Sequence, residues 1–137
     1  MTYWIYYLFL FSGFPALIYQ IVWERALFTI YGVNVESVTV VVTAFMLGLG
    51  LGSMVGGRSS RSPRLALLAC FGLAELGTAS FGIFSLYLFH HVAYYTAGAS
   101  LLDTAILSLA LLLVPTMLMG STLPFLTAHV VGHSRNV

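Results

Sequence analysis

The sequence predicts an all-α integral membrane protein with about four transmembrane helices, on three observations. Sixty per cent of its 137 residues are apolar or aromatic, 7% are charged, and the mean hydropathy is +0.99. A domain this small has too little interior to hide that much apolar surface from water. Four apolar runs each approach the roughly 20 residues that a bilayer-spanning helix needs. The five basic residues are all arginines, and they sit at the ends of these runs rather than inside them. A net charge of +1 offers no basic surface, so no nucleic-acid partner is expected. The lipid bilayer is the first expected partner.

The first run spans about Tyr3 to Trp23. It lacks a basic n-region and a small-residue cleavage site, and so reads as a retained helix rather than a signal peptide. Tyr19, Gln20, Trp23, Glu24 and Arg25 cluster at its far end. Gln20 and Glu24 are four apart and share a helical face, while Tyr19 and Trp23 suit the headgroup belt. The cluster is either an interfacial anchor with a local Glu24–Arg25 charge pair or a docking or substrate vestibule. The following "ALFTIYGVNVE" reads as a short interfacial helix and loop.

The second run spans about Ser37 to Gly56. Gly48, Gly52 and Gly56 recur every four residues and form one groove along it. In lipid the hydrophobic effect does not drive helices together, so small residues that let backbones approach gain importance. The groove serves either tight packing against the third helix or a sliding surface or dimer seam. The third run, about Leu65 to Phe89, carries its own small face in Gly72, Ala79 and Gly82, with Gly77 nearby, and includes the single cysteine, Cys70. One cysteine permits no internal disulfide.

Glu75 lies near the middle of this third run. A carboxylate at that depth is expensive and belongs in a bundle interior or against a partner. It acts either through a structural hydrogen bond or as a cation or proton site. The fourth run starts near Leu101 and extends as far as Val131, where Pro115 and Pro124 kink one helix or split it in two. His129 and His133 are four apart, but His90 and His91 fall at the opposite surface, so the four histidines cannot meet. No metal or cofactor is expected.

Arg58, Arg61 and Arg64 lie in the loop between the second and third runs, and Arg135 falls on the same side of a four-helix topology. Only Arg25 falls on the other side. By the positive-inside rule, the arginine loop and both termini are cytoplasmic, with the three loop arginines anchored at the headgroups. The expected location is a bacterial inner membrane.

The junction "GGRSSRSPR" resembles the loop after the second helix in the major facilitator superfamily, where a glycine and spaced basic residues follow the helix end. The acidic member of that pattern is absent, since Ser59 and Ser60 follow Arg58. "SGFPALIYQIVWERALFTIYG" (12–32), "AFMLGLGLGSMVGGR" (44–58), "AELG" (74–77) and "VPTMLMGSTLPFL" (114–126) extend the likeness. Together they resemble the N-terminal membrane portion of the spermidine-synthase-like membrane proteins, in which a facilitator-like helical region is joined to an aminopropyltransferase-like domain. The resemblance implies a partial major-facilitator-like bundle and favours the vestibule reading of the Tyr19–Arg25 cluster. The transferase's glycine-rich nucleotide loop has no counterpart here: the glycines from Gly48 follow no strand and open no phosphate-binding helix. Enzymatic activity is therefore not expected.

Facilitators rock two six-helix halves about a midplane site, and four helices are fewer than one half. The expected role is a small, non-catalytic membrane subunit that packs on and stabilises or assembles a larger complex, through other subunits or self-association. The alternatives are an oligomeric transporter-like module for a small, cationic solute, or a membrane anchor for a separate aminopropyltransferase-like partner.

Overall fold

The computed structural model describes residues 3–32, 34–60 and 64–134; the side chains of residues 5, 31, 34, 64, 65 and 132–134 lie outside that description. The chain folds into four helices: α1 (Tyr3–Tyr31), α2 (Asn34–Ser59), α3 (Arg64–Tyr95) and α4 (Leu101–Ser134). All four are long and apolar enough to cross a membrane. The protein is an all-α membrane protein.

Each helix continues past the end expected from its apolar run, and local chemistry sets the stops. The stretch after Trp23 is part of α1 rather than a separate interfacial helix, because nothing from Glu24 to Tyr31 breaks helical geometry. The break comes at Gly32, whose φ of 69° is a left-handed conformation and whose N–H donates to the Phe28 carbonyl at 2.9 Å. This is the glycine stop common at helix C-termini. α4 starts from Ser100, whose hydroxyl donates to Asp103 Oδ2 at 2.7 Å and accepts the Asp103 N–H at 3.2 Å. The second of these bonds caps the Asp103 amide, one of those the first turn leaves open, and the first fixes the hydroxyl that does so. The fourth run is one helix, not two: Pro115 and Pro124 both lie inside it. A proline costs a transmembrane helix one backbone bond, which neighbouring helices compensate through packing and hydroxyl bonds.

α4 is the central element. It packs along both α2 and α3, whereas α1 touches the other three more lightly and the described residues of α2 and α3 do not pack on each other. The α2 glycine groove therefore meets α4 rather than the third helix. The reason lies in the facing surface. Gly48 faces Thr116, Gly52 faces the Met117 backbone and Gly56 faces Ser121, while Gly120 of α4 faces the Leu49 backbone in return. A Cβ at Gly56 would sit 2.9 Å from the Ser121 carbonyl oxygen, and one at Gly120 would sit 2.5 Å from that of Leu49. Thr116 is fully buried in this seam, and its hydroxyl donates to the Leu112 carbonyl at 2.7 Å and lies 3.2 Å from the Ala44 carbonyl across the interface. α3 offers no matching strip: at Gly72 a Cβ would meet nothing within 4 Å.

The apolar core occupies one half of the bundle. Trp23 and Leu27 of α1 pack with Val40, Val41, Ala44 and Phe45 of α2, Phe89 of α3 and Leu112 of α4. Because successive helices alternate in direction, these residues all lie towards the α1–α2 and α3–α4 connections. Trp23 is its centre, stacked on Tyr19 (ring centroids 5.2 Å apart), and edge-on to Phe81 (5.5 Å). Among the described side chains of α1, only Trp23 and Leu27 are buried. Its N-terminal half leaves Tyr3, Trp4, Tyr6 and Phe11 exposed, so the other half of the bundle is held less tightly.

Candidate functional site

In that looser half, nearer the arginine loop, the four helices line a half-open cavity of about 570 Å³. It lies where α2 and α3 stay apart, with α1 on one side and α4 on the other. The cavity starts where the core ends, and Tyr19 and Phe45 belong to both.

Among the described residues, Glu75 is the only acidic one on its wall, and no arginine or histidine lines it. The Ser12 hydroxyl donates to Glu75 Oε1 at 2.5 Å, joining α1 to α3. Ser12 comes from the "SGFP" segment and Glu75 from "AELG", so two motifs far apart in sequence meet at one bond. A hydroxyl that donates to a carboxylate forms a short, charge-assisted bond. One turn further along α3, Thr78 also lines the cavity. It is buried, and its hydroxyl has no partner among the described residues.

Gln20 lies on the α1 wall one residue after Tyr19. The Tyr19 ring is set over α3 by Gly82: a Cβ there would overlap the ring and its hydroxyl. Gly82 thus gives α1 its approach to α3 immediately beside the cavity. Gly77 plays a smaller part towards α4, where a Cβ would lie 2.9 Å from Leu118 Cδ1. Ala79 lines the cavity rather than a helix seam.

The structure thus divides the residues singled out from sequence. Glu75, Tyr19, Gln20 and Ala79 share the cavity. Glu24 and Arg25 lie outside it and form no ion pair with each other, because adjacent residues on a helix point in different directions. Arg58 is exposed in the last turn of α2, where its charge complements the helix C-terminus. Arg61 and the side chain of Arg64 lie outside the described residues, as do Arg135 and the side chain of His133. His91 packs against Tyr87 with the rings tilted at 46° and their centroids 4.2 Å apart, away from the cavity. No group of histidine, cysteine, aspartate and glutamate that could hold a metal occurs among the described residues.

Ser12 and Thr78 were not singled out from sequence, although a periodic signal marks them. Ser12, Ala16, Tyr19, Trp23 and Leu27 recur at three- and four-residue steps, the spacing of one helical face. Thr78 follows Glu75 by three. In a run this uniformly apolar, that face emerges from its polar and aromatic members rather than from hydrophobic contrast.

Fold and cavity together define an α-helical membrane bundle with a polar site inside an apolar wall. No protein-family model, curated protein or solved structure matches the chain.

Proposed function

We propose that the protein is a non-catalytic helical subunit that packs on and stabilises a larger membrane assembly. The observation that supports this most is the uneven closure of the bundle. One half is sealed by the Trp23 core. The other leaves the Glu75 carboxylate, the Gln20 amide and the hydroxyls of Ser12, Tyr19, Ser53, Thr78 and Thr122 around a cavity beside a lightly held α1. Exposing such groups to hydrocarbon costs several kcal/mol each, on the order of that for any unsatisfied polar group in lipid. Further helices, from other subunits or a second copy, would cover that half. In this reading the arginine loop and both termini face the cytoplasm of a bacterial inner membrane, and Arg58, Arg61 and Arg64 anchor at its headgroups.

Purification of the tagged chain in mild detergent, followed by native mass spectrometry, tests the reading. A defined complex of fixed stoichiometry is expected, and a monodisperse monomer would refute it. Recovery with a soluble aminopropyltransferase-like protein would favour the anchor role and support the resemblance to the spermidine-synthase-like membrane proteins.

The cavity favours a second reading, a transporter-like module for a small solute that works as an oligomer. Its volume falls within the range of about 300–1,000 Å³ typical of ligand pockets, and its polar groups converge on one carboxylate. A facilitator-like arrangement would place such a site between helices near the midplane.

A further inference from the structure

We infer that the Glu75 cavity binds a hydrophobic organic cation carrying a single positive charge. The inference deepens the solute-site reading and does not depend on the subunit reading.

The charge follows from a count of the wall. Among the described residues it holds one carboxylate and no cationic side chain, so an anion would meet uncompensated repulsion at Glu75. A neutral apolar occupant would displace water from the carboxylate and supply nothing in return. A ligand with several positive charges would leave all but one unpaired within an apolar enclosure. A hard metal ion needs about six oxygen ligands, carboxylates foremost, and no group of three or more histidine, cysteine, aspartate or glutamate residues that could hold one occurs among the described residues.

The apolar body follows from the remaining wall. Phe9, Phe45, Phe71 and Tyr19 place aromatic side chains around the cavity, alongside aliphatic residues such as Leu49 and Leu126. Aromatic faces attract cations through the ring quadrupole, most strongly where water is excluded. A delocalised or shielded cation also loses less hydration on entry than a compact ammonium does.

Two features indicate a site prepared for an occupant. The Ser12 hydroxyl engages one oxygen of Glu75 and holds the carboxylate at the α1–α3 seam, leaving the other oxygen free of any described protein partner. Thr78 is 6% exposed, and its unpaired hydroxyl belongs to the same wall. Buried hydroxyls without a partner are uncommon in folded proteins.

The test uses the full chain in detergent and a pair of ions matched in size and shape but opposite in charge. Tetraphenylphosphonium and tetraphenylborate are measured by equilibrium dialysis. Saturable binding of tetraphenylphosphonium alone is expected, weakened about tenfold or more by Glu75→Gln and restored to within a few-fold by Glu75→Asp. Ala79→Phe, which fills the cavity and keeps the carboxylate, should abolish binding and provides the test if Glu75→Gln does not fold. Equal saturable binding of both ions would overturn the charge assignment while leaving a solute site in place. Saturable binding of neither would overturn the solute-site reading as well.

Discussion

The two parallel helix pairs of this bundle are joined in opposite ways. α2 and α4 meet along a continuous strip of small residues, with Gly48, Gly52 and Gly56 set against Thr116, Met117 and Ser121 and with Gly120 against Leu49. α1 and α3 meet through aromatic contacts, Trp23 on Phe81 and the Tyr19 ring over Gly82, and through the Ser12–Glu75 bond, with the cavity beside them. Both pairs hold helices together without help from the hydrophobic effect, which lipid removes. The first uses van der Waals contact at backbone distance and leaves no room for anything else. The second uses aromatic rings and one polar bond, and it keeps space for an occupant. Tight glycine packing supplies the rigid part, and its absence between α1 and α3 makes a site possible.

The contrast predicts a graded series of substitutions. Gly52→Leu has the largest expected effect, because even a Cβ there would overlap the Met117 backbone, which cannot move aside as a side chain can. We expect a loss of about 3 kcal/mol or more, at or beyond the upper end of overpacking costs. It would be seen as the disappearance of a monodisperse peak in detergent size-exclusion chromatography. An unaltered profile would show that α2 and α4 are not joined through this groove.

Gly82→Ala comes next. The new methyl meets the Tyr19 ring, which can tilt, so a cost of about 1–3 kcal/mol is expected. Its signature is a shifted tryptophan emission, because Tyr19 stacks on Trp23. Ser12→Ala should cost less, about 0.6 kcal/mol, the mean for hydrogen bonds between membrane helices, with about 1.7 kcal/mol as the ceiling. Thermal unfolding in detergent would resolve it, and Glu75→Gln in the Ser12→Ala background should add less than it does alone.

Gly50→Ala is expected to change stability by less than about 0.5 kcal/mol, as for ordinary exposed sites. A Cβ at Gly50 meets nothing within 4 Å, whereas one at Gly52, two residues on, would overlap the Met117 backbone. Comparison of Gly50→Ala with Gly52→Ala by the same unfolding measurement isolates packing from helix propensity. Similar losses at both positions would mean that propensity, not the seam, explains the glycines.

Much of this architecture is legible in the residues. Composition and run length point to four membrane helices because the bilayer imposes a length and a polarity that few other settings share. The four-residue glycine spacing marks a packing groove on α2, and the depth of Glu75 marks a residue with a special environment. Other inferences fail for lack of local information. The helix ends beyond Trp23 and Phe89 are hidden because helical geometry outlasts the apolar run until Gly32 and the Thr96–Ser100 turn stop it. Tyr19 and Gln20 enter the cavity while Glu24 and Arg25 do not, because the face that turns inward depends on where the other helices stand.

The sequence by itself determined the class of solvent, the number of helices and the positions where backbones can approach closely. These depend on hydropathy and side-chain size, which each residue carries wherever it is placed. Only the tertiary structure decided that the α2 groove receives α4 rather than α3, and that Ser12 reaches Glu75 across 63 positions of chain. Partner choice between apolar helices rests on fitting small surfaces to one another, and nearly every face in a membrane bundle is apolar. Hydrophobic pattern cannot rank the candidates. Complementary shape can, and shape exists only once the helices are assembled.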